Sequence, residues 1–86
     1  MSRLPILSAK IFEKLLLSIG FIATKQKGSH VFYKHPDGRY TTLPHHPGRD
    51  LGRPLIHKIL REINLTPEEF SKLLKKDSKK IEPHSF

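Results

Sequence analysis

The side chains best suited to chemistry are six histidines set among many basic residues. His30 directly follows the turn-like sequence Lys27-Gly28-Ser29, with Lys25 nearby. Imidazole changes protonation near neutral pH, so His30 can accept the proton of a ribose 2′-hydroxyl while the lysines attract phosphate. The 2′-oxygen could then attack the adjacent phosphorus without a metal ion. Taken by itself, however, a single histidine at this position is better interpreted as an ordinary polar residue at a strand end.

The adjacent pair His45 and His46 is the next candidate. Neighbouring residues of a strand point to opposite faces, so these two side chains are poorly placed to chelate one ion, and we expect no metal site. One of them could approach His30 as the general acid that protonates the leaving 5′-oxygen, or could simply contact phosphate, and the sequence leaves both options open. The other histidines are interpreted as a turn residue, a helix-surface residue and a tail residue, namely His35, His57 and His84.

The charge of the chain points to a polyanionic partner. The 86 residues include sixteen Lys and Arg but only eight Asp and Glu, which gives a net charge of +8. Residues 25–61 carry +6 of it, from eight Lys and Arg against two Asp. Such a concentration favours nucleic acid over a merely soluble surface. The chain has no cysteine, which excludes disulfides and thiolate zinc sites, and no stretch resembles a signal peptide or a bilayer span. We therefore expect a cytoplasmic protein.

The periodicity predicts a single α+β domain over residues 1–74. Apolar residues at helical spacing predict helices over about 9–19 and 54–63, and Thr66-Pro67-Glu68-Glu69 opens a short third helix. Three strands are expected in FIATKQ, HVFYKH and YTTLP, connected as an antiparallel meander with a hairpin turn at Pro36-Asp37-Gly38. Residues 45–54 are predicted to form a loop, and residues 75–86 a disordered basic tail. The order suits two layers, with both helices on one sheet face.

The second strand has two possible orientations. His30, Phe32 and Lys34 share one face, whereas Val31 and Tyr33 share the other. If the first face is open, Phe32 can stack on a base; if it is buried, Tyr33 is the candidate stacker. Because aromatic residues in strands are usually core residues, we favour a buried Phe32.

Several short segments in order resemble the HicA, or YcfA-like, mRNA interferase toxins of type II toxin–antitoxin systems. The similarity spans about residues 5–74. The matching segments are Gly20-Phe21, Gly28-Ser29-His30, Tyr33 to Arg39, Leu43-Pro44 with His45 or His46, and Gly52 to Arg61.

This resemblance implies a fold like the double-stranded-RNA-binding domain, with the order α-β-β-β-α. It implies a metal-independent endoribonuclease that cuts single-stranded regions of mRNA, with His30 as catalytic residue, no cofactor, and a HicB-type antitoxin as protein partner. The candidate RNA-binding residues are Lys25, Lys27, Ser29, Lys34, Arg39, Arg49 and Arg53. Lys27 is the first candidate for stabilising the charge that develops on phosphorus.

Two other functions fit the same sequence. A non-catalytic module could bind RNA or DNA with the same fold and charge, since folds of this kind host binding without chemistry. A protein-interaction module could use the basic face only to dock an acidic protein.

Overall fold

The computed structural model of the chain describes residues 6–81, with side chains described for residues 6–75. The elements of this part are, in chain order, β1 (Leu7–Ser8), α1 (Ala9–Ser18), β2 (Ile22–Lys27), β3 (His30–Lys34), β4 (Tyr40–Pro44), β5 (Asp50–Leu51), α2 (Arg53–Glu62) and α3 (Pro67–Ile81). Strands β2, β3 and β4 form an antiparallel sheet in that order. The predicted α+β class and the antiparallel meander are confirmed.

Local sequence signals explain the helix ends. The Ser8 hydroxyl accepts a hydrogen bond from the backbone N–H of Ile11 at 3.3 Å, which caps α1. Gly20, at φ 103°, allows the chain to turn sharply after α1. The predicted capping box opens α3, since Thr66 and Glu69 exchange side-chain to backbone hydrogen bonds of 2.9 and 3.1 Å.

The segment predicted as a loop contains a short strand. β5 pairs antiparallel with β1, Leu7 opposite Leu51 and Ser8 opposite Asp50, and so fastens the segment after β4 to the start of α1. Strands of two residues are too short to show an alternating pattern, so no sequence signal indicated them.

Helix α3 is longer than the short helix predicted. It continues to Ile81, so residues 75–81, expected to belong to a disordered tail, are helical, while residues 82–86 lie outside the described part. The segment has no apolar period, yet it is rich in lysine and has no glycine or proline between Pro67 and Pro83, so nothing in it ends a helix. The division into a domain over 1–74 and a separate tail stays a prediction.

The core lies between the sheet and the helices. Tyr33, Thr41 and Leu43 are buried on one sheet face, and Thr41 donates a 2.7 Å hydrogen bond to the Glu62 carboxylate of α2. On the helix side, the ring of Phe12 stacks on that of Phe70 at a centroid distance of 5.2 Å, joining α1 to α3. One face of the sheet is therefore covered and the other is open.

Candidate active site

The open face of the sheet is basic and aromatic. Residues directly opposite each other on antiparallel strands point to the same side. The residues that share the open face with His30 are Ile22, Lys25, Lys27, Phe32, Lys34, Tyr40, Thr42 and Pro44. Ile22 and Tyr40 are well exposed, at 59% and 68% of their full area. Three lysines beside exposed apolar and aromatic rings form a surface suited to a polyanion with flat bases.

The preference for a buried Phe32 was wrong. Phe32 is only half-buried on the open face, and the Lys25 ammonium lies 5.4 Å from its ring centroid. Tyr33 is the fully buried aromatic residue of β3. The alternation of the strand was predicted correctly, but the covered side is decided by where α1 and α2 pack.

His30 and His46 meet at one end of this open face. His30 is the first residue of β3 and is exposed, after a turn in which Gly28 adopts φ 60°. The exposed ring of His46 approaches it edge to face, with ring centroids 6.4 Å apart. With hydrogen bonds of about 2.8 Å, the two rings can engage different oxygens of one phosphate group. Two proton-transfer groups thus lie side by side at a solvent-accessible position.

The side chain of His45 lies on the covered side of the sheet, where hydrogen bonds hold it in place. Its Nε2 lies 2.9 Å from the Tyr33 hydroxyl, which in turn donates a 2.6 Å hydrogen bond to the Glu13 carboxylate of α1. Its backbone N–H donates to the Ser29 carbonyl at 2.7 Å. Burial, and then the hydrogen bond to Glu13, raises the pKa of Tyr33 well above its ordinary value, so the hydroxyl keeps its proton.

A cleft of about 500 Å³ opens beside these histidines. It lies between the start of α1 and the segment 45–50, and its charged or titratable lining side chains are Lys10, His45, His46, Arg49 and Asp50. Its size is within the range of small-ligand sites. His46 lines the cleft and also contacts His30, so the cleft is continuous with the histidine pair.

A comparison with protein families places the chain in a known family. A family model described as "HicA toxin of bacterial toxin-antitoxin" matches residues 9–65, which is more than half of the 86-residue chain. The chain belongs to the HicA toxin family. The predicted family is thereby confirmed, and membership implies a toxin–antitoxin system with an antitoxin partner. A comparison with curated protein sequences gave no significant match.

In this HicA family member, the predicted RNA-binding residues separate into groups. Lys25, Lys27 and Lys34 are exposed on the open face, and Arg49 is exposed at the cleft. Ser29 is half-buried in the turn before His30.

The two remaining arginines are placed differently. Arg39 lies at the opposite end of the sheet, where its side chain binds Asp37 at 2.8 Å and the Ile63 carbonyl at 2.6 Å. Arg53 is half-buried at the start of α2. Arg39 therefore does not join the group around His30 and does not enter the surface that we assign to RNA below.

The other histidines also have defined places. The His35 Nε2 lies 3.1 Å from the Ile19 carbonyl, and its ring contacts Phe21 edge to face at 5.1 Å. His57 is exposed on α2, and His84 lies outside the described residues.

Sequence reasoning did not identify Glu13 and Lys10. Glu13 approaches Tyr33 only through packing of α1 on the sheet. Lys10 lines the same cleft as Arg49 because the β1–β5 pair brings the two segments together, so no local pattern reveals either residue.

Two further searches concern metals and membranes. Within residues 6–75, no three His, Asp or Glu side chains form a group able to hold a metal ion. Among the described helices, none combines the length and apolar character needed to cross a bilayer.

Proposed function

We propose that this HicA toxin is a metal-independent endoribonuclease that cuts mRNA in single-stranded regions through His30. The observation that carries the proposal is the pair of exposed imidazoles, His30 and His46, 6.4 Å apart at the end of a basic open sheet face. Imidazole is the side chain best suited to both giving and taking protons near neutral pH. The family resemblance also assigns the catalytic role to the histidine matching His30.

The reaction needs one base and one acid. Neutral His30 takes the proton of a ribose 2′-hydroxyl, and the 2′-oxygen then forms a bond to the adjacent phosphorus. As the bond from phosphorus to the 5′-oxygen breaks, protonated His46 gives its proton to that oxygen. The products are a 2′,3′-cyclic phosphate and a 5′-hydroxyl. The two histidines exchange their proton states with water before the next cycle.

The choice of His46 over His45 as the acid rests on orientation. The His46 ring lies against His30, whereas the His45 Nε2 is bound to Tyr33 on the covered side of the sheet. A general acid must reach the same phosphate as the base, and the short distance between the His46 and His30 rings supports the choice of His46.

The basic face supplies binding and charge stabilisation. Lys25, Lys27 and Lys34 give salt-dependent contacts with little sequence preference. Lys27 is directly opposite His30 in the register of β2 and β3, so it is the cation best placed to stabilise the negative charge on phosphorus. Phe32, in the next row of the same face, offers a ring for a neighbouring base. Stacking requires an unpaired base, which favours single-stranded RNA.

The same face suits the partner antitoxin. We propose an antitoxin of the HicB type that presents an acidic surface to the lysines around His30 and thereby blocks access to RNA. Co-expression of the cognate antitoxin should remove the toxicity of this chain. Undiminished toxicity would contradict this assignment.

The first experiment is induced expression in bacteria of the native chain, the variant His30→Ala and the control His57→Ala. His57 is an exposed histidine on α2, outside the site, so its replacement is matched in chemistry but not in position. Growth arrest with mRNA decay is expected from the native chain and from His57→Ala, but not from His30→Ala. Equal effects of all three chains, or none from any, would instead favour a non-catalytic nucleic-acid-binding module.

A further inference from the structure

Apart from His46, the residues that line the cleft beside the histidine pair have no part in the mechanism above. The cleft is lined on one side by Lys10 at the start of α1 and on the other by His45 and Arg49. Lys10 and Arg49 are exposed cations, and one carboxylate, Asp50, also lines the cleft. Two cations with one anion suit a ligand that carries a single phosphate. Because the cleft reaches His46, such a ligand would lie next to the scissile phosphate.

The hydrogen bonds that join Glu13, Tyr33 and His45 determine which ring nitrogen of His45 carries the proton. An ionised Glu13 carboxylate can only accept, so the Tyr33 hydroxyl donates its one proton to it. The hydroxyl oxygen must then accept from His45, so Nε2 of His45 carries a proton. In the neutral ring the other nitrogen, Nδ1, is therefore an acceptor. Nδ1 has no hydrogen-bond partner within residues 6–75 and is left for a ligand.

We propose that this cleft binds the ribose-phosphate unit next to the scissile phosphate, with Nδ1 of His45 accepting a hydrogen bond from the ribose 2′-hydroxyl. Lys10 and Arg49 hold the phosphate of the same unit. Deoxyribose lacks the hydroxyl donor, so the cleft selects RNA over DNA at the binding step, separately from the chemistry at His30. The inference rests on the proposed function, since it assumes that the strand runs past His30.

Glu13 and Tyr33 are positioning residues in this scheme, because they act only through His45. The variant Glu13→Gln tests that role, since an amide can donate as well as accept. It allows both hydrogen bonds to reverse direction. The amide then donates to the Tyr33 hydroxyl, the hydroxyl donates to Nε2 of His45, and the proton of His45 moves to Nδ1. Nδ1 is then a donor in place of an acceptor, with almost no change in shape, so the 2′-hydroxyl must turn away from its donating geometry to keep any hydrogen bond.

The test measures binding in a background that cannot cut. In His30→Ala chains, the affinities of one single-stranded RNA and of the DNA of the same sequence are compared by fluorescence anisotropy. We expect an RNA preference of about threefold to tenfold, the usual value of one hydrogen bond. His45→Phe should abolish it, Glu13→Gln should reduce it, and His57→Phe should leave it unchanged. A preference that survives His45→Phe, or the absence of any preference, would overturn the proposal.

Nitrogen-15 NMR of the histidine rings supplies a readout that needs no substrate. Under mildly alkaline conditions, His45 of the native chain should show the proton on Nε2, and Glu13→Gln should shift it toward Nδ1. An Nδ1-protonated ring in the native chain would contradict this proton assignment. If the chain cuts RNA but the ratio of its affinities for RNA and DNA does not depend on His45, the cleft assignment alone is refuted. If that ratio depends on His45 but the native chain does not cut RNA, the proposed function alone is refuted.

Discussion

Both ends of the three-stranded sheet carry histidine, but in opposite circumstances. At the end formed by the β3–β4 turn, the His35 Nε2 binds the Ile19 carbonyl and its Nδ1 lies 3.1 Å from the backbone N of Asp37. At the other end, the rings of His30 and His46 are exposed and face each other. The same side chain thus serves structure where the protein satisfies both nitrogens, and remains available for a substrate where it does not.

The turn end comprises residues 35–39 with Gly20 and Ile63. It joins the β3–β4 turn to the residues that follow α1 and α2. Arg39 donates to the Ile63 carbonyl after α2 at 2.6 Å, and its guanidinium lies 5.2 Å from the Phe21 ring centroid. A cation bonded in this way has little left to offer a phosphate. The opposite end comprises His30, His46 and the cleft. This contrast between the ends generates the predictions that follow.

Removing one histidine from each end should give opposite results. His46→Ala should lower the RNA cleavage rate by about 10²- to 10⁴-fold, the usual contribution of a general acid, with an unchanged melting temperature. His35→Ala should instead keep the cleavage rate at a temperature where it is folded, and should melt earlier because two hydrogen bonds are lost. Purified variants, a short RNA substrate and thermal unfolding would measure both. Comparable rate losses for the two would contradict the assignment of roles.

Gly20→Ala should strike the turn end alone. Gly20 has φ 103°, a conformation that residues with a Cβ rarely adopt, and an added Cβ would lie 2.8 Å from the His35 Nε2. We expect a loss of about 1–3 kcal/mol in the free energy of unfolding, measured with denaturant. Gly28→Ala serves as control. It also has positive φ, but among the described residues, its two chain neighbours aside, no atom lies within 4 Å of its added Cβ, so it should cost less.

Phe32→Leu should separate the two faces of the sheet. Phe32 is half-buried on the open face, so the change should weaken binding of single-stranded RNA by roughly threefold to tenfold through lost stacking, with little loss of stability. Tyr33→Leu, on the covered face, should reduce stability severely because Tyr33 is fully buried and holds Glu13 and His45. Unchanged RNA affinity of Phe32→Leu would exclude Phe32 as a stacking residue.

The sequence predicted well what depends on neighbours in the chain. Glycine and proline signals placed the turns, helical spacing placed α1 and α2, and the predicted meander matches the registers of β2, β3 and β4. These features follow from local backbone preferences. His30 drew attention through its position after Gly28-Ser29, but its catalytic role came from the family resemblance and stays a prediction.

The sequence did not predict the side-chain contacts that depend on packing between distant segments. It could not choose between His45 and His46, because their difference arises from Tyr33 on one side and His30 on the other. It counted Arg39 among the candidate RNA contacts, and no local pattern indicated that the Ile63 carbonyl after α2 accepts a hydrogen bond from its guanidinium. Identifying such contacts requires knowing which side of the sheet the helices cover.

The smallest expected effect is a pH dependence that belongs to the turn end. Hydrogen bonds from the Arg39 backbone N–H, and then from its side chain, hold the pKa of Asp37 below its ordinary value. Because the folded-state pKa is lowered, the stabilisation is present above the unfolded pKa of about 3.9 and is lost as the pH falls through the folded value.

The variant Asp37→Asn should therefore melt slightly earlier than the native chain near neutral pH, and the difference should shrink below about pH 4. Thermal unfolding of both chains across this range would measure it. RNA cleavage at neutral pH should not change, since Asp37 lies at the end of the sheet away from His30. A cleavage rate that falls with Asp37→Asn would mean that the two ends are coupled, and that the turn end does more than hold the fold.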